Sequence, residues 1–376
     1  MEYSVMQEIR LSGKFADAII YTVDDSSIAI DQYALAQIQQ LCDFEASEGN
    51  VIRVMPDVHP GKACVIGLTM TLTTDKVMPN LVGVDIGCGV YVAKLGRFSH
   101  DFAKLDKVIA TSVPSGFSIH SKEVEYGALD DLCCAKHVQL DMARRSLGTL
   151  GGGNHFCEIA RGCDEEHFLI IHTGSRHLGK EVCEWYLKNG RKQNVPYELT
   201  WLAGNLREEY LQDIKIVQAF ASTNRAHIAK AITKGMKWTI EDAWESIHNY
   251  IDFSQTKPVL RKGAISALNG ERVIIPVNMR DGSIVGIGKG NAAWNWSAPH
   301  GSGRISSRAK TKELFTLPAF KESMQGIYSS CVCKDTLDEA PFAYRAQADI
   351  VGALHDTVDV SDILRPVYNF KAGSKK

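Results

Sequence analysis

Cysteine, histidine and acidic residues fall inside glycine-rich turns at several points of this 376-residue chain. Asp85 and Cys88 lie three residues apart in one such turn, so a carboxylate and a thiol can converge on one ion. Glycine lets the backbone approach a ligand closely and expose its N–H groups. A strand-end turn with a buried cysteine is the simpler structural explanation, and this segment alone does not decide between the two.

The segment 148–156 contains three consecutive glycines followed by Asn154 and His155. Consecutive glycines cost backbone entropy on folding, so packing alone explains them poorly. An amide and an imidazole at the end of such a loop are suited to a ligand site. A flexible surface loop is the alternative interpretation.

Two more histidines lie close to predicted element ends. His172 stands where an apolar strand meets a Gly-Ser turn, a common place for binding residues. Arg176 in the same turn has a planar guanidinium that can pair with phosphate. His248 falls late on a predicted helix, where a histidine more often only complements the helix dipole.

His300 opens the sequence HGSGR, which ends at Arg304. Such a segment could place a nucleophilic imidazole, a backbone cradle and a guanidinium around one phosphoryl group. A glycine-rich turn before a basic helix is the plainer explanation. The chain contains no GxxxxGK[ST], HExxH or GxSxG sequence, which argues against a P-loop, a zincin or an α/β-hydrolase.

Together these residues offer one thiolate, one carboxylate and several imidazoles. That donor set suits a borderline ion such as Zn²⁺, Mn²⁺, Fe²⁺ or Co²⁺ better than Mg²⁺, which prefers oxygen. The residue types therefore predict a metal-dependent enzyme acting on phosphates, with a histidine as a candidate covalent nucleophile. They do not identify the substrate.

Composition excludes several classes of protein. Hydrophobic residues make up 45% of the chain and the formal net charge is −2, so neither a disordered chain nor a strongly basic, histone-like protein is expected. A local basic groove remains compatible with this balance. No run of about 18 apolar residues and no secretory signal is present, and the ten cysteines form no paired framework, so we expect a reduced, cytoplasmic protein without membrane contact.

The pattern along the chain predicts a mixed α+β protein. No internal repeat or linker divides residues 1–376, so one compact domain with a β-sheet core and surrounding helices is expected. Strands are predicted at 168–171 and on both sides of the Asp281-Gly282 turn. Apolar residues at helical spacing predict a helix over about 202–233, and Thr239 is a plausible N-cap for a second helix ending near residue 250. The two helices would form a mainly helical insertion at about 200–252.

These segments, in this order, resemble the RtcB-type RNA ligases, the GTP- and manganese-dependent RNA-splicing ligases. The resemblance extends over about residues 50–372. The matching text is MPDVH with GK at 55–62, DIGCG at 85–89, the glycine loop at 148–156, HTGSR at 172–176, NR at 224–225, HN at 248–249, RKGA at 261–264, HGSGR at 300–304, AYR at 343–345 and Lys371.

The resemblance implies an RtcB-like fold and an RNA-joining activity. Such enzymes join an RNA 3′-phosphate or 2′,3′-cyclic phosphate end to a 5′-hydroxyl end, in RNA repair or tRNA splicing. By this likeness His300 would form a histidine–GMP intermediate with GTP, and the GMP would then activate the RNA 3′-phosphate. RNA is the implied partner, together with an archease-like activator.

The resemblance also assigns site residues. Two Mn²⁺ ions would be held by Asp85, Cys88, His155, His172 and His248, with Cys88 bridging them. The implied GTP contacts are Asn154, Glu158, Asn278, Ser283, Gly301, Ser302, Gly303, Tyr344 and Lys371. Arg176 and Arg304 would contact phosphate or RNA.

Departures from the family pattern concentrate near the nucleotide rather than the metal. Residues 276–280 read PVNMR where the family has Pro-Gly-Ser-Met-Gly, and residues 301–303 read GSG where it has Gly-Ala-Gly. These changes suggest a divergent bacterial-type paralog devoted to RNA repair. The alternatives are an RNA 3′-phosphate guanylyltransferase or cyclic phosphodiesterase that seals poorly, a metal-containing RNA-binding protein with a degenerate site, and a generic metallophosphatase.

Overall fold

The chain alternates short strands with helices, and the strands carry the site. A computed structural model describes residues 6–23, 30–98, 101–192 and 194–372. The strands within these ranges are β1 Met6–Ser12, β2 Asp17–Val23, β3 Ile52–His59, β4 Ile66–Thr71, β5 Gly89–Gly96, β6 Phe156–Arg161, β7 His167–Thr173, β8 Asp242–Ile247, β9 Asn249–Asp252, β10 Val259–Lys262, β11 Ala264–Ser266, β12 Arg272–Asn278, β13 Gly282–Gly288, β14 Ser297–Pro299 and β15 Val358–Phe370.

Helices cover the sheets and connect them, with short 3₁₀ turns between. The α-helices are α1 Gln32–Cys42, α2 Phe102–Ser112, α3 Leu140–Ser146, α4 Arg176–Gly190, α5 Gly204–Met236, α6 Arg308–Leu314, α7 Leu317–Ser323 and α8 Gln347–Ala353. None of the helices in the described part of the chain is long and apolar enough to cross a bilayer.

Two large sheets organise the molecule. One runs β1-β2-β3-β4-β10-β9, and the other runs β12-β13-β15-β6-β7-β5-β8. A short ribbon of β11 and β14 forms a third, two-stranded sheet. The α+β class predicted from the sequence is confirmed. The strand predicted at 168–171 is β7, and the Asp-Gly turn joins β12 to β13 as an antiparallel hairpin.

Helix α5 confirms the long predicted helix. Its apolar face buries Tyr210, Ile214, Val217 and Ala221, the positions whose spacing predicted it. The helix packs against α2, α4, β5 and β7, so it lies on the sheet that carries β5 and β7. It ends at Lys237, which adopts the left-handed conformation typical of a helix C-cap.

The prediction of a second helix from Thr239 to about residue 250 is wrong. Residues in that range form β8 and β9 instead. The pattern of Thr239 and Asp242 imitated a helix cap, but Asp242–Ile247 pairs along its length with β5, and this tertiary pairing overrides the local signal. The predicted insertion at about 200–252 is therefore helical only as far as Met236. The organisation of residues 1–376 as a single domain stays a prediction.

Candidate active site

The five predicted metal ligands meet at one edge of the seven-stranded sheet. Cys88 immediately precedes β5, His155 immediately precedes β6, His172 lies near the end of β7, and His248 immediately follows β8. These four strands are neighbours in the order β6-β7-β5-β8 and run antiparallel, so the start of one lies beside the end of the next. Asp85 reaches the same point from the turn before β5.

Helix α5 fixes the loops that carry these ligands through two fully buried polar side chains. The Asn224 side chain accepts hydrogen bonds from the N–H groups of Gly148 and Thr149 and donates to the carbonyl oxygen of Gly174. The Arg225 guanidinium donates to the carbonyl oxygens of Gly87 and Thr173 and pairs with Glu245. Buried groups that hold ligand-bearing loops in this way orient a metal centre.

The ligand atoms face one another at short range. The sulfur of Cys88 lies 3.4 Å from Nε2 of His155 and 3.3 Å from Nε2 of His172. Nε2 of His172 lies 3.3 Å from Nε2 of His248, and Nε2 of His155 lies 3.0 Å from Oδ2 of Asp85. The donor atoms of Cys88, His155 and His172 all lie within 4.8 Å of one another, a spacing that can hold a metal ion.

The electrostatics of the cluster favour neutral imidazoles and an ionised carboxylate. Burial lowers the pKa of His172 and of His248 well below the ordinary value. Burial alone would raise the pKa of Asp85, but the hydrogen bond and charge of His155, together with Cys88 and His172, outweigh burial and lower the pKa. The carbonyl oxygen of Asn154 accepts a hydrogen bond from Nδ1 of His172, which leaves the lone pair of that histidine on Nε2, toward the cluster.

The donor set therefore fits a metal ion. Nδ1 of His155 and Nδ1 of His248 are buried and have no hydrogen-bond partner from the described residues. Burial, and next to it Asp85, raise the pKa of the Cys88 thiol well above its usual range, so an ion that binds the thiolate must displace its proton. Sulfur, imidazole nitrogen and carboxylate oxygen together suit a borderline divalent ion.

His300 stands beside this cluster and is held by a buried carboxylate. Its ring centroid lies 5.0 Å from that of His248. Oδ2 of Asp57 lies 2.7 Å from Nδ1 of His300 and also accepts hydrogen bonds from the backbone N–H groups of His300 and Gly301. Asp57 is fully buried on β3. Because a carboxylate accepts, Nδ1 of His300 carries the proton and Nε2 keeps its lone pair.

One cavity of about 480 Å³ joins the metal cluster to His300, within the volume range of pockets for small ligands. All nine residues that the resemblance implies for GTP line it. Beside them it is lined by His300, Asp85, Cys88, His172 and His248. The structure thus brings together nearly every residue singled out in the sequence, from segments up to almost 300 positions apart.

The far wall of the cavity contains a protonated carboxyl group. Burial raises the pKa of Glu158 to about 8. Its Oε2 accepts a hydrogen bond of 2.8 Å from the amide of Asn369, while its Oε1 has no hydrogen-bond partner from the described residues. A neutral carboxyl can donate one hydrogen bond and accept another, which suits the polar edge of a base.

A second carboxylate on this wall, Glu339, is ionised. Its Oε2 lies 2.8 Å from Nζ of Lys371 and accepts a hydrogen bond of 2.7 Å from the Tyr344 hydroxyl, and its Oε1 pairs with Arg308. Arg304 reaches the same carboxylate at 3.3 Å. Burial alone would raise the pKa of Glu339, but Lys371 and Arg308 outweigh it and lower the pKa to about 2.

Some predicted contacts are engaged elsewhere. Arg304 lines the cavity, but its guanidinium is bonded to Asp338, Glu339 and Tyr344. The Asn278 side chain also stabilises the turn before β13 through Asp281. Arg176 lies outside the cavity wall: it holds the carbonyl oxygen of Gly116 and the hydroxyl of Thr149.

Comparison with known proteins decides the family. A sequence model described as tRNA-splicing ligase RtcB matches residues 37–134 and 120–372. The chain belongs to the RtcB family. It is 31% identical to the RNA-splicing ligase RtcB1 of Escherichia coli strain ATCC 25922 over 84% of this chain and 88% of that relative. It is 30% identical to the RNA-splicing ligase RtcB of Escherichia coli K12 over the same shares. A third relative, the tRNA-splicing ligase RtcB of Aeropyrum pernix, is 27% identical over 84% of this chain and 86% of its own.

Sequence reasoning missed three residues of this RtcB-family site. Asp57 was part of the matching text but received no role, although it holds His300. Glu339 and Asn369 were not singled out, although they hold Lys371 and Glu158. All three act through contacts distant in sequence. Of the three, only Glu339 could have been noticed from local sequence, because it lies close to the matching AYR segment.

Proposed function

We propose that this RtcB-family enzyme is a GTP-dependent RNA ligase that joins a 3′-phosphate or 2′,3′-cyclic phosphate end to a 5′-hydroxyl end. One observation carries the proposal: His300, oriented by Asp57, opens into a cavity bounded on one side by the metal cluster and on the other by Glu158 and Lys371. A hydrolase needs a metal site but not a second, carboxylate-oriented imidazole beside it.

The proposed first step uses Nε2 of His300. Its lone pair forms a bond to the α-phosphorus of GTP, and the bond to the bridging oxygen breaks, so pyrophosphate leaves with its electron pair. The ring becomes cationic in this step while its proton stays on Nδ1. Asp57 stabilises that charge through the 2.7 Å hydrogen bond, as a carboxylate does for a catalytic histidine elsewhere.

Asp85, Cys88, His155, His172 and His248 would hold two Mn²⁺ ions, which would supply Lewis-acid polarisation of phosphoryl oxygens. The chain's own part is to fix the ligands through Asn224 and Arg225 and to keep His172 and His248 neutral by burial. The ligand positions predicted from the sequence are thus retained as the proposed metal site.

The later steps transfer GMP to RNA. An oxygen of the RNA 3′-phosphate attacks the phosphorus of the histidine–GMP bond, and His300 leaves as a neutral imidazole. The RNA 5′-hydroxyl then attacks the activated 3′-phosphorus, loses its proton and displaces GMP. A cyclic end is first opened by water. A 3′-phosphate is a poor electrophile until GMP becomes its leaving group, which is why GTP is consumed.

A ligation assay tests this proposal. The protein is incubated with Mn²⁺, GTP and two RNA oligonucleotides, one starting with a 5′-hydroxyl and one ending in a 3′-phosphate or, in a parallel reaction, a 2′,3′-cyclic phosphate, with and without an archease-like protein. A joined product that requires GTP supports the ligase. Accumulation of RNA capped with GMP and little joined product favours the guanylyltransferase alternative. Opened cyclic ends without GTP use would favour a phosphodiesterase and overturn the proposal.

A further inference from the structure

Phe117 is the most exposed large apolar side chain of the described residues, at 89% of its full surface. It stands at the tip of the loop 114–120, between α2 and α3. Single exposed apolar residues are common on protein surfaces, so exposure alone does not indicate a binding site. The position of the loop that carries Phe117 does indicate one.

The loop is pinned against the segment that leads to the metal ligand His155. The N–H of Leu150 donates to the carbonyl oxygen of Pro114, and Ser115 forms a parallel bridge with Leu150. The largely buried Arg176 guanidinium donates a hydrogen bond to the carbonyl oxygen of Gly116. A side chain at Gly152 would lie only 3.7 Å from the backbone of Gly116, so the loop runs beside the three glycines.

A strained residue secures this arrangement. Arg176 adopts a positive φ of 60°, a conformation that costs a non-glycine residue free energy. In that conformation its side chain contacts both Thr149 and Gly116. It therefore ties the loop to the HTGSR segment, which begins at His172. The molecule therefore holds the Phe117 loop rigidly next to the metal cluster, although the Phe117 ring itself packs against no core.

Basic groups line the base of the loop. The N–H of His120 donates to the carbonyl oxygen of Arg145, and its ring nitrogen lies 3.4 Å from the carbonyl oxygen of Gly148. A side chain at Gly148 would touch both His120 and His227. His227 in turn lies near Lys230. An exposed aromatic ring near imidazole groups and a lysine is compatible with a surface that binds single-stranded nucleic acid.

We propose that Phe117 is a stacking platform for an unpaired base of the RNA, within three nucleotides of the ends being joined. The base lies flat on the exposed ring, the glycines at 151–153 leave room for the backbone, and His120, His227 and Lys230 face the phosphates. This inference rests on the proposed RNA ligase function and assigns it a binding residue outside the cavity.

Equilibrium binding tests the platform. Fluorescence anisotropy with the Mn²⁺-loaded protein measures Kd for two single-stranded RNA ten-mers in turn, one ending in a 3′-phosphate and one starting with a 5′-hydroxyl, without turnover because GTP is left out. For the strand that carries the stacked base, Phe117→Ala raises Kd about tenfold, since a stacked base contributes that order of affinity. Phe117→Trp stays within about twofold of the wild type, whereas Phe117→Leu behaves like the alanine variant because it is apolar but not aromatic.

Tyr197→Ala is the matched control, since Tyr197 is an exposed aromatic residue in a turn between α4 and α5. It leaves Kd unchanged. Guanylylation of His300 by GTP also stays unchanged in Phe117→Ala, which shows that the fold and the nucleotide cavity are intact.

Abasic nucleotides identify the stacked base. The base is removed in turn from each of the last three nucleotides of the 3′-phosphate strand and the first three of a 5′-hydroxyl strand. Removal of the stacked base lowers the affinity of the wild type about tenfold and does not lower that of Phe117→Ala further. The position at which this happens shows which strand carries the stacked base. Equal Kd for the wild type and Phe117→Ala with both ten-mers overturns the inference, as does an additive loss at all six positions.

The outcome separates this inference from the proposed function. A wild type that ligates RNA while Phe117→Ala matches it in Kd and in KM for RNA defeats the platform and leaves the ligase standing. A wild type that neither forms histidine–GMP nor joins RNA defeats the proposed function, whatever the RNA affinity of the variants.

Discussion

The two halves of the cavity differ in their electrostatics. In one half ligand atoms cluster together, and in the other the charges are already paired. In the half that we propose for metal, called the metal half, the side chains of Asp85, Cys88, His155, His172 and His248 approach one another through sulfur, oxygen and Nε2 atoms. Nδ1 of His155 and Nδ1 of His248 have no hydrogen-bond partner from the described residues. In the nucleotide half, Glu339 is matched by Lys371, Arg308, Arg304 and Tyr344, all from the same chain.

This difference separates what each half needs from a ligand. Donor atoms that face one another are stabilised by a cation, which would replace the Cys88 proton and the hydrogen bond between His155 and Asp85. Around Glu339, by contrast, each cation already has a partner, so a nucleotide that binds there has to replace that partner. The affinity for the nucleotide therefore depends on how firmly Glu339 holds each cation. Residues 276–279 line the cavity as well.

The metal half should respond most strongly to losing one ligand. Cys88→Ala removes the sulfur that lies within 3.4 Å of two imidazoles, so Mn²⁺ affinity measured by isothermal titration calorimetry falls at least about a hundredfold. Cys183→Ala removes an equally buried thiol on α4, outside the cavity, and leaves Mn²⁺ affinity unchanged. Equal affinities in the two variants would refute the metal assignment.

The boundary between the halves depends on Asp57. Asp57→Asn removes the charge that stabilises a cationic His300 and weakens control of its tautomer, so the rate of guanylylation falls about a hundredfold or more. Mn²⁺ affinity stays at the wild-type value. Asp106→Asn, which alters a carboxylate bonded to Ser330 and Tyr368 away from the cavity, is the control. A guanylylation rate in Asp57→Asn close to that of the wild type would remove Asp57 from the mechanism.

The nucleotide half should respond through affinity. Glu339→Gln deprives Lys371 of its ionic partner, so the KM for GTP in the guanylylation assay changes about tenfold while kcat changes less. Asp338→Asn is the matched control, because Asp338 bonds Arg308 and Lys312 but not Lys371. If both variants keep the wild-type KM, the network does not position Lys371 for the nucleotide.

A separate effect concerns stability against pH rather than activity. The folded-state pKa of Glu158, about 8, lies above its ordinary value of 4.5, so the stability that its protonated form contributes is complete below pH 4.5 and is lost as pH rises through 8. Between pH 5 and pH 8 the wild type should lose on the order of 3 kcal/mol more than Glu158→Gln in urea denaturation, at about 1.4 kcal/mol per pH unit. Parallel pH profiles of the two proteins would contradict the buried neutral carboxyl.

Local sequence predicted the metal half better than the nucleotide half. Asp85 and Cys88 share one glycine-rich turn, and His155 and His172 lie in short motifs at strand ends, so residue type and turn chemistry were visible without the fold. His248 was assigned as a ligand only through the family resemblance. Asp57 and His300 are 243 positions apart, and Lys371 and Glu339 meet only because β15 returns to the seven-stranded sheet. No local pattern encodes such contacts.

The error at 239–250 has the same cause. Asp242–Ile247 carries a cap-like start and mixed polarity, and only its pairing with β5 makes it a strand. That pairing also explains His248. As a late helical residue it was a weak ligand prediction, whereas at the end of β8 it donates its N–H to the carbonyl oxygen of Cys88 and joins the cluster.

The most direct test of the central claim is a labelling experiment on His300. The protein is incubated with Mn²⁺ and GTP labelled at the α-phosphate, then denatured and examined for label on the chain, with His300→Ala and His59→Ala alongside. His59 lines the same cavity and hydrogen-bonds to the Asp57 backbone, so it serves as the neighbouring-histidine comparison. We predict acid-labile label that requires Mn²⁺, is lost in His300→Ala and persists in His59→Ala. Label that persists in His300→Ala, or a folded, metal-loaded wild type that takes no label from GTP, would contradict the account.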